Sequence, residues 1–178
     1  AYEIVSRDWS SDVCSSDLQF CKSGKIFCFQ PIKENFDILE ENVKLNKITN
    51  IFSTNVAVSE DNNIVTIYLS EDQSGHSMHV EGARKIKVKS VSLQNIFDFN
   101  SIKQCDFLKV DCEGEEYSIM SALPESYLDK IRKICMEYHL SDIKRQSLDE
   151  LMDRLQTFAF NVVKIETSSN MGLLYASK

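Results

Sequence analysis

The amino-acid sequence predicts an α/β fold, in which a largely parallel, doubly wound sheet carries helices on both faces. From residue 24 onward, short apolar runs alternate with amphipathic patterns of helical period. The 178 residues, 43% hydrophobic and 26% charged, are enough for one domain with a substantial core. Polar side chains follow most of the predicted strands, and ligands bind such sheets beyond the carboxyl ends of the strands.

The first half of the pattern predicts strands around one helix. "GKIFCFQP" is typical of a buried strand, and "ENFDILEENVKLNKI" predicts a helix because Phe36, Leu39 and Val43 recur at helical spacing. "IFSTNVAVS" is predicted as a single strand. "NIVTIYLSE" and "RKIKVKSVSL" alternate between apolar and polar residues, which predicts two strands with one exposed face each.

The second half continues the alternation of strands and helices. "CDFLKVDCEGEEYSIMSAL" predicts a buried strand, an acidic turn and a helix. "IRKICMEYHL" predicts another buried strand, and "LDELMDRLQTFAF" predicts a helix. "NVVKIETSSNMGLLYASK" predicts a final pair of strands.

Charge and cysteine usage exclude several function classes. The net charge of -7 leaves no sequence-wide positive field, so neither nucleic acid nor a membrane is expected as a partner. Six cysteines without any C-x-x-C motif predict reduced thiols and a cytoplasmic protein. No apolar run reaches the length of a membrane span. His76 and His79 form an H-x-x-H pair with no third ligand nearby, so no metal site is predicted.

The acidic turn is the most informative stretch. In "FLKVDCEGEEYSIM", charged side chains cluster around Gly114 directly after a buried strand: Lys109, Asp111, Glu113, Glu115 and Glu116. Neighbouring carboxylates repel one another unless a cation or a hydrogen-bond donor lies close, and Lys109 is a candidate for that cation. For Glu115 alone, an acidic helix N-terminus favoured by the helix dipole is the preferred interpretation.

This stretch resembles the K-[IV]-D-[VIC]-E-G-x-E motif of the FkbM family of S-adenosylmethionine-dependent methyltransferases. "GKIFCFQPIKENFDILEENVKLN" is similar to a second segment of that family, and "NVAVS", "GHSMH", "MEYH" and "GLLYA" follow in the family's order. The resemblance runs from about Gly24 to the C-terminus. It implies a Rossmann-like class I methyltransferase sheet and methyl transfer from S-adenosyl-L-methionine to a hydroxyl of a sugar or other small molecule.

The resemblance also implies site residues. The catalytic candidates are Asp111, Glu113, His139, Lys109 and Glu116. Among them Glu113 and His139 are alternative general bases, which Lys109 and Glu116 would orient; a structural role for His139 is equally open. The cofactor-binding candidates are Gln30, Pro31, Asn55, Ala57 and Asp111. His76 and Ser77 lie in a segment that forms a flap near the acceptor in the family, although a solvated loop is an equal alternative.

Two departures from the family concern the cofactor. The family has a carboxylate at the position of Gln30, where it accepts hydrogen bonds from both ribose hydroxyls. A neutral amide with one acceptor oxygen weakens this interaction by roughly 1 kcal/mol. A polar residue at a strand end that binds no ligand is an equal interpretation of Gln30. No glycine precedes Gly24, whereas class I methyltransferases have a D-x-G-x-x-x-G turn after their first strand.

Residues 8–18, DWSSDVCSSDL, stand where that turn is expected. They match the translation of a nucleotide string that resembles a sequencing-library adapter. Residues 1–18 are therefore interpreted as a non-native segment, with residues 19–178 as a methyltransferase domain incomplete at its N-terminus. "YEIV" is expected to substitute for the missing central strand, and residues 8–18 are expected to form a disordered loop.

These departures predict that the fragment is inactive. Two other function classes remain open. Gln30 and the absent turn favour a non-catalytic α/β interaction module of methyltransferase origin. A nicotinamide-dependent enzyme would also need a glycine-rich turn, so the sequence does not favour that class.

Overall fold

The structure is a computed structural model that describes residues 2–7, 24–69, 84–112, 114–139 and 144–178. The strands in this part of the chain are β1 (Tyr2–Arg7), β2 (Lys25–Phe29), β3 (Ile51–Thr54), β4 (Ala57–Ser59), β5 (Ile64–Leu69), β6 (Arg84–Ser92), β7 (Phe107–Asp111), β8 (Lys133–His139), β9 (Asn161–Ser168) and β10 (Met171–Ser177). The helices are α1 (Lys33–Leu45), α2 (Leu93–Phe99), α3 (Glu116–Ala122), α4 (Glu125–Leu128) and α5 (Lys144–Thr157).

Seven of these strands form the main sheet, in the order β3-β2-β1-β7-β8-β10-β9. Strand β1 lies at the centre and pairs in parallel with β2 on one side and β7 on the other. The expectation that "YEIV" fills the central position is therefore confirmed, and β2 and β7 are paired on the edges that face it. The strand order reverses between β1 and β7, which predicts the ligand site at their carboxyl ends.

A second, three-stranded sheet has the order β4-β6-β5. The prediction of one strand over "IFSTNVAVS" is wrong, because Ile51–Thr54 pair with β2 whereas Ala57–Ser59 pair with β6. The chain bends at Asn55, whose side chain donates hydrogen bonds to the β2–α1 turn. A continuous strand cannot follow both sheets.

Helices cover both faces of the main sheet, as predicted. On one face, Ile26 and Cys28 of β2 pack against Leu39 of α1. The opposite face carries the larger core, to which β2, β7, β8 and β10 and the helices α2, α3 and α5 contribute. Helix α2 was not predicted; it begins after Ser92, whose hydroxyl accepts a hydrogen bond from the backbone N–H of Asn95 and so caps the helix.

Gly172 allows β10 to lie close to β8. A Cβ atom at this position would be 2.3 Å from the Tyr138 hydroxyl and 2.4 Å from the Ile165 carbonyl oxygen. Only a residue without a side chain fits there, because neither neighbour has room to move in a close-packed interior.

Candidate active site

The carboxyl ends of the central strands bring the predicted site residues to one edge of the sheet. β7 ends at Asp111, β8 ends at His139, and Gln30 follows the end of β2. Val110 lies opposite Met136 in the parallel β7–β8 pair. Asp111 and Glu137 are the next residues of these two strands, so they share the other face of the sheet.

The turn between β7 and α3 folds around the carboxylate of Glu116. This side chain is fully buried. Its Oε1 accepts hydrogen bonds from the backbone N–H groups of Cys112 and Gly114, each at 3.0 Å, and its Oε2 accepts from Gly114 at 2.9 Å. Gly114 has a φ of 110°, which favours glycine over residues with a side chain. The acidic motif thus has a structural reason for both its glycine and its last glutamate.

His139 lies between two carboxylates. Its Nδ1 is 3.5 Å from Oε1 of Glu116, and its Nε2 is 3.8 Å from Oε1 of Glu137. The imidazole is 26% exposed and Glu137 is 33% exposed, so solvent reaches this pair, whereas Glu116 is enclosed. Nδ1 thus faces the enclosed carboxylate of Glu116, and Nε2 faces the more exposed carboxylate of Glu137.

Tyr117 of α3 is bonded to the same end of β8. Its hydroxyl donates a hydrogen bond to the carbonyl oxygen of His139 at 3.3 Å. Burial raises the pKa of Tyr117 well above its ordinary value, and the negative charge of Glu116 adds to the effect. The hydroxyl therefore stays protonated and remains a donor over the pH range in which enzymes work.

The other charged residues of the motif have different environments. Asp111 is 5% exposed and lies at the end of β7. Lys109 is half-buried two residues earlier on the same face. Among the described residues Lys109 forms no ion pair with Glu116 or His139, so its orienting role stays a prediction. Glu115 precedes the first residue of α3 and accepts a hydrogen bond from Ser118, in agreement with its interpretation as a helix-terminal acid.

The cofactor-binding candidates form a turn held by neutral amides. Gln30 is 7% exposed, and its Oε1 accepts a hydrogen bond from the backbone N–H of Ile32 at 3.0 Å. Asn55 donates from Nδ2 to the carbonyl oxygens of Gln30 at 2.8 Å and Pro31 at 3.0 Å. Ala57 is buried at the start of β4. The Gln30 side chain therefore offers its N–H donors to a ligand more readily than its oxygen.

Several predicted residues lie outside the described residues. These are Glu113, His76 and Ser77, together with His79 and residues 8–18. Their roles stay predictions. Within the described ranges, no group of three or more His, Cys, Asp or Glu side chains is placed to hold a metal ion.

Glu137 lies at a predicted strand end, but the sequence interpretation assigned it no role. The signal was present in "MEYH", because Glu137 and His139 are two residues apart in a strand and hence on one face. The backbone N–H groups of Cys112 and Gly114 were also missed. Their hydrogen bonds to Glu116 depend on the path of the turn, which residue types alone do not specify.

Comparisons with known proteins give a family and a fold. Residues 4–170 match the family described as the methyltransferase FkbM domain. No curated protein sequence matches the chain significantly.

Solved structures of methyltransferases resemble the fold at low sequence identity. An rRNA methylase from Streptococcus thermophilus has a TM-score of 0.59 at 9% identity, over 99% of this chain and 86% of its own. Precorrin-6y C5,15-methyltransferase from Geobacter metallireducens has a TM-score of 0.56 at 10% identity, over 99% and 80%. Fibrillarin from Aeropyrum pernix, with natively bound S-adenosyl-L-methionine, has a TM-score of 0.54 at 10% identity, over 98% and 65%.

These likenesses establish a Rossmann-like class I methyltransferase fold, and the predicted fold class is confirmed. None of the helices in the described part of the chain is both long and apolar enough to cross a bilayer.

Proposed function

The chain belongs to the FkbM family of S-adenosylmethionine-dependent methyltransferases, and we propose that it methylates a hydroxyl group of a sugar or other small molecule. The predicted family and enzyme class are confirmed by the match over residues 4–170. The choice of a hydroxyl acceptor rests on one observation. The imidazole of His139 lies between the carboxylates of Glu116 and Glu137 at the carboxyl end of β8.

The residues at the sheet edge fit the cofactor's charge. S-adenosylmethionine supplies an electrophilic methyl carbon on a positively charged sulfur, together with an ammonium group and a ribose. The buried carboxylate of Asp111 suits a cationic group, and the amide N–H donors of Gln30 suit ribose oxygens. Because the strand order reverses between β1 and β7, both residues lie beside the expected crevice.

His139 provides the proton acceptor that a hydroxyl requires. An alcohol is a weak nucleophile until its proton is removed, and the proton would pass to Nε2 as the oxygen–methyl bond forms. The resulting imidazolium would be stabilised on one side by Glu116 and on the other by Glu137. The two N–H donors from Cys112 and Gly114 hold Glu116 in place for this role.

The test is formation of S-adenosylhomocysteine with a panel of saccharides at saturating cofactor, in a protein whose residues 1–18 are replaced by a first strand and a D-x-G-x-x-x-G turn of the family's kind. Each saccharide is paired with its fully O-methylated form, which keeps the same rings and linkages but has no free hydroxyl. We expect turnover with at least one free saccharide, none with its methylated partner, and a loss of at least tenfold in His139→Gln. Equal turnover of a methylated partner, or preferential methylation of amine acceptors, would contradict the proposal.

The second part of the proposal concerns this particular sequence. We propose that residues 8–18 are non-native and that the chain as printed is nearly inactive, because the first 23 residues contain no glycine for a cofactor-binding turn. Affinity for S-adenosylmethionine is then expected at millimolar strength, about -4 kcal/mol. Calorimetry that gives a micromolar dissociation constant for the unmodified chain would show this part to be wrong.

A non-catalytic interaction module is the second candidate. The observation that favours it is the neutral turn at Gln30, whose amide oxygen is already bonded to Ile32. It predicts no methyl transfer at any cofactor concentration. Turnover at several millimolar cofactor therefore distinguishes a weakened enzyme from a module without activity.

A further inference from the structure

The two edges of the main sheet differ in length. β3 forms one edge and has four residues, whereas β9 forms the other and has eight. The outer backbone N–H and C=O groups of an edge strand can pair with a further strand, so edge strands are usually short or covered. Among the described residues, β9 pairs with β10 alone. It therefore presents a long edge to which another strand can be added.

β9 also carries apolar side chains that the described fold leaves exposed. Val163 is 49% exposed, Ile165 is 48% exposed, and Tyr175, which lies opposite Val163 on β10, is 41% exposed. The register across the strands places Val163 on the same face of the sheet as Cys28, which α1 covers at β2. The other described helices pack into the core of the opposite face. Among the described helices, none therefore covers these apolar side chains.

The other face of β9 carries two opposite charges. Lys164 and Glu166 are alternate residues, and the Lys164 ammonium group lies 3.0 Å from Oε1 of Glu166. Their side chains are 34% and 67% exposed. These are the only charged residues of β9, so the strand itself is neutral in a chain whose net charge is -7. A second copy of this chain can therefore approach along β9 without local charge repulsion.

We propose that β9 pairs antiparallel with β9 of a second copy of this chain, in a register centred on Ile165. The two seven-stranded sheets then join across a two-fold axis perpendicular to the sheet. This symmetry keeps each face of β9 on its own side. Ile165 lies opposite Ile165 of the second copy, and Lys164 lies opposite Glu166 of the second copy, twice by symmetry. Both the apolar and the charged face of the strand are thus complementary to themselves.

Charge distinguishes this register from its neighbours. The alternation of faces allows only registers centred on a residue, since each residue must meet one of its own face. A register centred on Lys164 places the two ammonium groups directly opposite one another, which is destabilising. One centred on Val163 places Val162 opposite Lys164 and pairs no opposite charges. An extended peptide of another protein can also add to a sheet edge, but it lacks this reciprocal match of charges.

The regular part of the edge is short. The register of β9 with β10 shifts between Met171 and Gly172, so β9 is regular only through Glu166. An irregularity of this kind twists an edge and limits pairing. We therefore expect a reversible dimer with a dissociation constant on the order of 10 μM. The inference concerns association alone and stands whether or not the proposed methyl transfer occurs.

The first experiment is sedimentation of the full chain in an analytical ultracentrifuge over a series of protein concentrations. The chain has a mass of 20.4 kDa. We expect the average mass to rise toward twice this value between about a tenth and about ten times the expected dissociation constant. A mass that stays at the monomer value would overturn the proposal. Growth beyond the dimer would also overturn it, because a contact of β9 with itself is closed by the two-fold axis.

Charge reversals test the register. Lys164→Glu brings two carboxylates opposite each other at both ends of the contact, and Glu166→Lys brings two ammonium groups there. Each single change should weaken association by at least about tenfold. The variant with both changes has opposite charges again and should associate as the unmodified chain does. Single variants that associate normally, or a double variant that does not associate, would overturn the proposal.

A mixture of the two single variants gives the most specific result. In the mixed pair, one copy contributes only carboxylates and the other only ammonium groups, so each cross-strand pair has opposite charges. We expect the equimolar mixture to form dimers at concentrations where each variant alone is monomeric. A mixture that stays monomeric would contradict pairing through these residues.

The matched controls are Lys87→Glu in β6 and Glu41→Lys in α1, which are the same charge reversals at exposed positions outside β9. Each control should associate within about twofold of the unmodified chain. Controls that weaken association as much as the β9 variants would show that net charge, not the edge of β9, determines association, and the proposal would be wrong. Circular dichroism verifies that every variant is folded.

Discussion

The two halves of the sheet edge are built from different interactions. On the side of β2 and β3, Gln30 and Asn55 bond to the backbone of their own turn through neutral amides. On the side of β7 and β8, a buried carboxylate of Glu116 holds a turn and faces His139. Hydrogen bonds to a charged group are roughly twice as strong as neutral ones.

This difference predicts which substitutions matter. On the β7–β8 side, one residue both maintains the backbone and sets the charge of the imidazole, so its loss should reduce stability and catalysis together. On the β2–β3 side, the amides stabilise a turn, and a ligand can contact only the amide atoms that are not bonded to that turn. Changes there should therefore alter cofactor affinity with little effect on the chemical step. Substitutions on each side test this distinction. Methyl transfer and cofactor affinity are measured in the protein whose residues 1–18 are replaced by a first strand and glycine turn of the family's kind, and stability is measured in the same protein.

The largest effect is expected from Glu116→Ala. The change leaves two buried N–H groups, those of Cys112 and Gly114, without their acceptor, at a cost of roughly 2 to 5 kcal/mol. For a chain of this size the midpoint of thermal unfolding should fall by about 5 to 15 °C. Methyl transfer should fall at least about a hundredfold, because His139 also loses its inner carboxylate.

The control is Glu41→Ala, which removes an exposed helical glutamate. It should change the unfolding midpoint by less than about 2 °C, since surface substitutions are usually within half a kcal/mol. Thermal unfolding by circular dichroism measures both variants. If Glu116→Ala is as stable as the control, the carboxylate does not hold the turn and the contrast between the two sides is lost.

Asp111→Asn and Glu113→Gln should have the next largest effects. Each is expected to lower methyl transfer by at least about tenfold with the fold intact, because a carboxylate at the end of β7 interacts with positive charge that an amide does not stabilise. Asp153→Asn, an exposed change in α5, is the matched control. Wild-type rates in both variants, measured under identical cofactor saturation, would remove these residues from the mechanism.

Much of the fold follows from local pattern, whereas the site depends on how turns close. The central strand at Tyr2–Arg7 was predicted from the family resemblance, which left the centre of the sheet without a strand. The other buried strands and the helix at Lys33–Leu45 could be predicted from the sequence pattern, because apolar period and length determine them. The break at Asn55 could not, since it depends on hydrogen bonds to the turn after β2, 24 and 25 residues away in sequence. Helix α2 was not predicted, because its seven residues are too few to show a helical period.

Prediction of the site is limited in the same way, because local pattern does not determine how the turns close. The sequence identified Glu116 and His139 as members of one site through a family resemblance, yet not that they lie 3.5 Å apart. The position of Glu137 beside His139 could have been predicted, because alternate residues of a strand lie on one face. The sequence could not show that Glu116 is the residue that accepts hydrogen bonds from the buried backbone. The motif contains four acidic side chains, and only the path of the turn determines which of them meets the backbone N–H groups.

Gln30→Glu tests the β2–β3 side and should have a moderate effect. One glutamate oxygen can still accept the Ile32 N–H, and the second replaces the amide nitrogen with a charged acceptor for ribose hydroxyls. Cofactor affinity should rise by about fivefold, or roughly 1 kcal/mol. Calorimetry compares it with Gln156→Glu, an exposed change of equal charge. Unchanged or weaker affinity would mean that Gln30 does not face the ribose.

The smallest effect is expected from Tyr117→Phe in α3, compared with Tyr138→Phe in β8. Tyr117 donates a hydrogen bond to the carbonyl oxygen of His139, so losing the hydroxyl should cost about 1 kcal/mol. The Tyr138 hydroxyl is buried and has no hydrogen-bond partner in the described structure, so its removal should be neutral or slightly stabilising.

The two tyrosines also predict how stability depends on pH. Burial raises the pKa of both hydroxyls in the folded state. The proton is therefore bound more tightly when the chain is folded, and the associated stability is complete below the unfolded pKa of about 10 and is lost as pH rises above it. Replacing Tyr117 should flatten this alkaline loss while lowering stability at neutral pH. Urea unfolding at pH 7 and pH 11 separates the two effects. If Tyr117→Phe and Tyr138→Phe behave alike at pH 7, the bond to His139 contributes nothing, and β8 is positioned by packing alone.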